Sequence, residues 1–413
     1  MVTTAIKTFL KYDTDIYFTV FDFDEKRLAE KNKEYGDMSR TRFVQGDLFD
    51  TRVTGRLIQK ADLVLNAAGP YYKTAIPIMN MCIQNRVNLC DLNDEPEASM
   101  DIIDMDNQAK AAGIGVYIGL GASPGLTNIW AKELMEKLDT TESIDTVWCT
   151  GDEGKIPYGR AVISHAIGIF GGHRSALSYR DGKVSKIPSF VIPETFNFTP
   201  PLSEITLYEL AHPEPLTISH FYPKLKTVRN LGGLHPQAQN GFFRGLSQAV
   251  CRKDLTEDET IDFVQQIMSG KLGSLKCWKF AIKGMREQVR KKQMSQKQFW
   301  NFIWKGLRGK SYDYRAGLIV SAIGKKNGKQ VELTRMTSGS GKNSFFNSMA
   351  SATGIPFAAL SRMVLDGKMA KEHKTGVFAP EAWVDTDTFY RYMDKYGVSK
   401  SDLMLPIKNE SVT

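Results

Sequence analysis

The chain has 413 residues, 42% hydrophobic and 24% charged, with a net charge of +8, a balance that excludes a disordered or fibrous protein. That length accommodates two or three domains. No run approaches the roughly 18 apolar residues of a membrane helix, and the amino terminus lacks the apolar core and cleavage site of a signal peptide. The five cysteines (Cys82, Cys90, Cys149, Cys251, Cys277) are odd in number and widely spaced. A cytoplasmic protein with no disulfide framework, no metal site and no membrane partner is therefore expected.

Thr3 to Lys11 carries a short helical pattern, and Ile16 to Phe21 a β-branched and aromatic strand ending at Asp22. A charged helix follows from Asp24 to Tyr35, then a strand from Thr41 to Val44 ending at Gly46-Asp47. Arg56 to Lys60 closes the next helix. Leu63-Val64-Leu65 is an apolar run of the kind buried on both faces of a parallel sheet. It breaks at Asn66-Ala67-Ala68-Gly69-Pro70 and resumes as a helix from Thr74 to Ile83. Val87 to Asp91 is the next strand. A helix through Met105 to Ala112 leads to the strand Ile114 to Ile118 and then to a loop ending Ser123-Pro124-Gly125. Strands separated by helices in this way predict an α/β class, a Rossmann-like doubly wound parallel sheet.

Ligands of such sheets bind at the carboxyl ends of the strands. Asp22 stands where a dinucleotide fold places the acid that accepts from the adenosine ribose, about 20 residues after a glycine-rich turn. No G-x-G-x-x-G precedes it in the sequence, so that turn and the first strand are expected upstream of Met1. Pro124 is expected at the first position of a helix from Leu126 to Leu138, capped by Ser123, whose amino terminus favours a substrate carboxylate.

From about Glu142 the pattern changes. Ile144 to Cys149 is strand-like, Gly151 to Gly159 a loop and Ala161 to Phe170 a helix. Asp181-Gly182 marks a turn. Leu318 to Met336 holds two strand patterns around Asn327-Gly328, a hairpin signal. A second α+β domain of mixed sheet and helices follows. The expected divisions are residues 1–125 for the dinucleotide domain, 126–345 for a substrate and dimerisation domain, and 346–413 for a helical segment packing back towards the first.

In order along the chain, FTVFDFDEKRLAE (18–30), QGDLFD (45–50), ADLVLNAAGPYY (61–72), NLCDLNDE (88–95), GLGASPGLTNIWA (119–131), YELAHPEPLTI (208–218) and GVFAPEAW (376–383) resemble the saccharopine dehydrogenase-like family, which includes saccharopine reductases, lysine 6-dehydrogenases and carboxynorspermidine dehydrogenases. The resemblance implies an NAD(P)-dependent oxidoreductase moving hydride between a nicotinamide and an amine or imine carbon of an amino-acid-derived substrate, in a protein that often pairs as a homodimer. It places Asp22 on the adenosine ribose, Asp47 and Leu48 beside the adenine, and Asn66, Ala67, Ala68, Gly69 and Pro70 along the nicotinamide side of the cleft. Asp22 followed by Phe23, with no arginine beside it, leans towards NAD over NADP.

A general base is needed, and Asp91, His165 and Tyr72 are candidates by position. Substrate contacts are expected from Pro124, Gly125 and Thr127, from His212 and Glu214 beside rigid prolines, and from Arg160, with Arg174 a second possible carboxylate clamp. Between Lys271 and Lys329 basic residues far outnumber acidic ones, with Trp278, Phe280, Phe299, Trp300 and Trp304 interleaved. That region reads as an amphipathic helix pair with aromatics in the core and lysines in solvent; a nucleic-acid surface is the less favoured reading. Ser338 to Asn343 departs from a phosphate loop at its first glycine and its last residue. The rival to the enzyme reading is a binding or scaffold protein that keeps the fold without the glycine-rich loop.

Overall fold

The computed structural model describes residues 1–35, 39–151, 159–170, 175–308, 310, 312–340 and 345–411. The chain divides into two units, residues 1–126 with 353–400, and residues 127–352 with 401–413.

The first unit opens with α1 (Val2–Tyr12), whose apolar residues recur at helical spacing so that Ala5, Ile6, Phe9 and Leu10 are buried on one side. Ile6 and Leu10 pack against Phe18, Val20 and Phe43. Those partners lie on β1 (Phe18–Asp22) and, after α2 (Glu25–Tyr35), on β2 (Thr41–Gln45). β1 and β2 pair in parallel from Phe18 opposite Thr41 to Asp22 opposite Gln45. α3 (Thr51–Ile58) is capped by Asp50, whose carboxylate accepts from the Arg52 and Val53 amides. There follow β3 (Leu63–Asn66), α4 (Tyr71–Asn85), β4 (Asn88–Asp91), α5 (Pro96–Asp104), α6 (Asp106–Ala112) and β5 (Gly115–Tyr117).

The second unit contains nearly all of α7 (Leu126–Met135), then β6 (Thr140–Gly151), α8 (Arg160–Phe170), β7 (Ser175–Arg180), β8 (Lys183–Pro188), β9 (Pro193–Asn197) and β10 (Glu204–Glu209). It continues through α9 (Glu214–Phe221), β11 (Thr227–His235), α10 (Ala238–Cys251), α11 (Glu257–Met268), α12 (Leu275–Arg290), α13 (Gln296–Leu307), β12 (Ala316–Lys326) and β13 (Lys329–Gly339). α14 (Met349–Leu365) carries the chain back into the first unit, which gains β14 (Gly376–Phe378), α15 (Pro380–Trp383) and α16 (Thr386–Lys395). α17 (Lys400–Leu403) and β15 (Lys408–Ser411) lead into the second unit again.

The sheet of the first unit is parallel throughout and lies in two pieces, β2-β1 and β3-β4-β5-β14. The last segment is not purely helical, because β14 joins the open edge of β5 with Val377 opposite Val116. α14 and α16 close over α1: Tyr396 donates to Asp13 Oδ2 at 2.7 Å, and Lys395 reaches its other oxygen at 2.5 Å.

In the second unit the sheet order is β15-β13-β12-β6-β11-β10-β9, with β7 and β8 beside β11. β6 and β11 run parallel while the other pairs run antiparallel, which is the mixed sheet expected. The helices bury an aromatic core that includes Phe190, Tyr208, Phe242, Phe263 and Trp278.

Candidate functional site

Each unit presents its own cluster. In the first, the strand ends of β1, β2, β3 and β4 bring forward Asp22, Asp47, Asn66 and Asp91. Asp22 accepts the Asp24 amide on Oδ1 at 3.0 Å. Its Oδ2 lies 3.8 Å from Arg27, which α2 brings back by one turn. No arginine adjoins Asp22 in the sequence, but the fold brings one beside it. Asp47 is exposed and accepts the Phe49 amide, while the Leu48 carbonyl accepts from Thr54.

Asn66 holds the loop after β3 to the end of β4. Its Nδ2 donates to Asp91 Oδ2 at 2.9 Å and its Oδ1 accepts the Ala68 amide at 3.0 Å. Asp91 is fully buried, and its other oxygen accepts the Asn93 amide at 2.8 Å. Asn93 Oδ1 accepts the Glu95 amide, and Glu95 Oε2 accepts the amide of Tyr72 at the start of α4. Thr74 donates to the Ala68 and Pro70 carbonyls, which fixes the loop from its other end. The alternation Asp91, Asn93, Glu95 is thus a ladder in which each side chain accepts a backbone amide. Sequence reasoning passed over Asn93 and Glu95, although the pattern is local and legible.

Burial pushes the Asp91 carboxyl up to about 7, with Asp94 and Glu95 adding to it and the Asn66 and Asn93 donors working against it. The folded state then holds a proton that the unfolded chain releases near pH 4, so stability from this group is present below pH 4 and is lost as pH rises through about 7. We expect the stability of the parent minus that of Asp91→Asn to fall with pH across this window, by about 1.4 kcal/mol per unit at the steepest. Chemical denaturation of both proteins across the window measures it; parallel curves would refute the assignment.

Tyr72 is 45% exposed, with Lys73 over its ring. Pro124 does not open a helix as expected. Gly121 and Pro124 close a tight loop, with the Gly121 amide on the Pro124 carbonyl at 2.9 Å, and α7 begins only at Leu126. Gly125 between them has φ +131°, and a Cβ there would sit 2.0 Å from the Gly121 carbonyl oxygen, so only glycine fits.

In the second unit His212 and Glu214 are both buried and paired, Nδ1 to Oε2 at 2.9 Å. Thr127 donates to Glu214 Oε1 at 3.3 Å, and the neighbouring Asn128 donates to Thr217. The Trp148 ring lies 5.3 Å from the His212 ring, centroid to centroid. Trp148 is fixed in turn by Asn230, which accepts from its Nε1 at 3.1 Å, and by Gly232, where a Cβ would fall 2.1 Å from the indole. Glu214 therefore holds Nδ1 as a donor and leaves Nε2 as the basic nitrogen of the neutral ring. The pair is the arrangement of an oriented general base.

Arg160, expected as a carboxylate clamp, is instead committed to two protein carboxylates on α11, Asp258 and, at 2.5 Å, Asp262. An exposed arginine one helix away from two acids satisfies itself locally. His165 lies half-buried on α8. His173 and Arg174 lie outside the described residues, as do most of the loop expected from Gly151 to Gly159 and residues 341–343 of the rejected phosphate loop.

A parallel sheet with an acid at the end of β1, a cation beside it and a small-residue loop after β3 is the arrangement of the dinucleotide-binding class of domain. Residues 1–116 match the family model described as saccharopine dehydrogenase NADP binding domain. No curated protein sequence matches the chain. The apo saccharopine dehydrogenase (L-Glu forming) of Saccharomyces cerevisiae shares the fold at TM-score 0.61, with 17% identity, over 99% of this chain and 98% of that one. A probable dehydrogenase from Thermotoga maritima aligns at TM-score 0.40 and 10% identity, covering 97% and 93%. An engineered D-amino acid dehydrogenase bound to NADP+ aligns at 0.38 and 11%, covering 91% and 96%.

Proposed function

We propose that the chain is a nicotinamide-dinucleotide-dependent oxidoreductase acting on an amine–imine pair of an amino-acid-derived substrate, with NADP as the better-fitting dinucleotide. The bound dinucleotide supplies the hydride acceptor or donor. The donor set fits it: Asp22 accepts ribose hydroxyls, and Arg27, 3.8 Å away, offers the cation that a 2′-phosphate requires. Asp47 and Leu48 flank the adenine, and the loop from Asn66 to Pro70 lines the nicotinamide end, held still by the Asn66–Asp91 bond. His212 takes and returns the amine proton at Nε2, while Glu214 orients it. Asp91, titrating near neutrality, is the acid or base available in the first unit.

The observation that carries the reading is the Asp22–Arg27 pair at the end of β1, inside the residues that match an NADP-binding domain. Thermal-shift titration with NAD, NADH, NADP and NADPH tests it. A dinucleotide at a hundredfold over its dissociation constant adds about 2.7 kcal/mol of stability. We expect the largest shift with the NADP pair, and Arg27→Ala to weaken NADP about tenfold or more while leaving NAD nearly unchanged. A folded chain that shifts with none of the four would refute the reading and favour a binding or scaffold role.

A further inference from the structure

The charge of this protein is concentrated. Residues 271–310 hold twelve lysines and arginines against one acid, Glu287, a net of +11 in a chain whose total is +8, so all the rest nets −3. These residues form α12 and α13. The expectation that their aromatics are core holds for Trp278 and Phe299, which are 8% and 6% exposed. It fails for Trp300 and Trp304, which are 54% and 56% exposed. With Leu307 at 57% they stand at i, i+4 and i+7, one stripe along the outer side of α13.

The stripe continues onto the start of α12. Trp278 donates through Nε1 to the Leu272 carbonyl at 2.7 Å, and its ring edge lies 3.9 Å from where a Cβ on Gly306 would be. The end of α13 therefore lies beside the start of α12, where Leu272 and Leu275 are 54% and 74% exposed. Arg308 stacks over Trp304 at 5.4 Å. The result is an outward apolar ridge of two indoles and three leucines set in a basic field.

We propose that this α12–α13 face docks on the surface of an anionic lipid bilayer, with Trp300, Trp304 and Leu307 entering the headgroup layer. Indoles partition to that layer because one end is apolar and the other donates a hydrogen bond, and clustered lysines and arginines are drawn to acidic headgroups. A helix lying flat needs no spanning segment, so the face is compatible with the finding that no helix among the described residues is long and apolar enough to cross. A second copy of the chain is disfavoured as occupant, since two faces of +11 repel. Nucleic acid, whose bases could stack on the indoles, is the competing occupant that the test separates, since the three exposed leucines of the ridge match an apolar layer and not a base or phosphate.

Co-sedimentation of the full chain with vesicles of neutral phosphatidylcholine, with and without about a third phosphatidylserine, tests the proposal. We expect at least tenfold stronger partition onto the anionic vesicles, weakened by salt and accompanied by a blue shift of tryptophan emission. The triple variant W300S/W304S/L307S, whose changes lie on exposed positions, should melt with the parent and lose most of that partition. Absence of partition at low salt overturns the proposal. So does a triple variant that sediments like the parent, or displacement of the parent from vesicles by an RNA oligonucleotide.

Discussion

His212→Ala is expected to lower kcat by about 10²- to 10⁴-fold with the preferred amine substrate, the range for removing a general base. Glu214→Gln should lose a large part of the same factor without touching substrate. The amide can accept from only one side, so it no longer stabilises the protonated imidazole, and the favoured tautomer is lost. The two roles separate in the pH profile. In the Ala variant the limb set by the imidazole disappears, whereas the Gln variant, which keeps the ring, keeps a limb. Glu214→Asp, which keeps the charge, should recover part of the rate. Steady-state kinetics across pH with melting temperatures taken alongside decide the matter. A folded His212→Ala protein with kcat within twofold of the parent would remove His212 from the chemistry.

The largest stability effect is expected at Arg335. Its Nη2 meets Glu133 at 2.5 Å with both side chains less than 10% exposed, and its Nη1 donates to the Leu405 carbonyl at 3.0 Å. The Leu405 amide in turn donates to Met336. This one guanidinium therefore joins α7, β13 and the final segment within the second unit. Arg335→Ala leaves a buried carboxylate without its cation, a loss of about 3–5 kcal/mol, a large share of a domain's net stability of about 5–15 kcal/mol. The double variant R335M/E133L fills similar volume without either charge and should regain most of the loss. Urea denaturation of the parent, the single and the double variant measures both steps. A single variant within 1 kcal/mol, roughly, of the parent would show that the pair contributes little.

Much of the architecture is legible in the sequence where the signal is local. The alternation of strand and helix over the first 125 residues predicts the parallel sheet, and Asp181-Gly182 and Asn327-Gly328 turn with φ positive at both positions, as hairpins of this kind require. Two elements escaped for identifiable reasons. α5 abuts α6 through Met105 alone, so two helices read as a single late one. β14 is three residues long and is a strand only because β5 offers it an edge.

The sites divide in the same way. The Asp91-Asn93-Glu95 ladder is written in consecutive alternate residues. Arg27 was missed by looking at the next residue along the chain when the relevant neighbour is one helical turn further on. The support of His212 could not be read at all, since Trp148 and Asn230 meet across two strands that are 82 residues apart. Nor does periodicity reveal that Trp300 and Trp304 face water while Phe299 does not, because α13 carries aromatics around more than one side.

The return of the chain after residue 352 has a consequence for biosynthesis. β5 is complete at Tyr117, but its partner β14 begins only at Gly376, and the helices that close over α1 come from the same late segment. A ribosome adding about 5–20 residues per second needs roughly 10–50 s to make the intervening residues 127–352. Through that interval the first unit is held with an unpaired parallel edge, a form of backbone prone to pairing with the wrong strand. Most of the second unit, residues 127–352, is made within that interval, and only its final segment, with Leu405 and β15, arrives after β14.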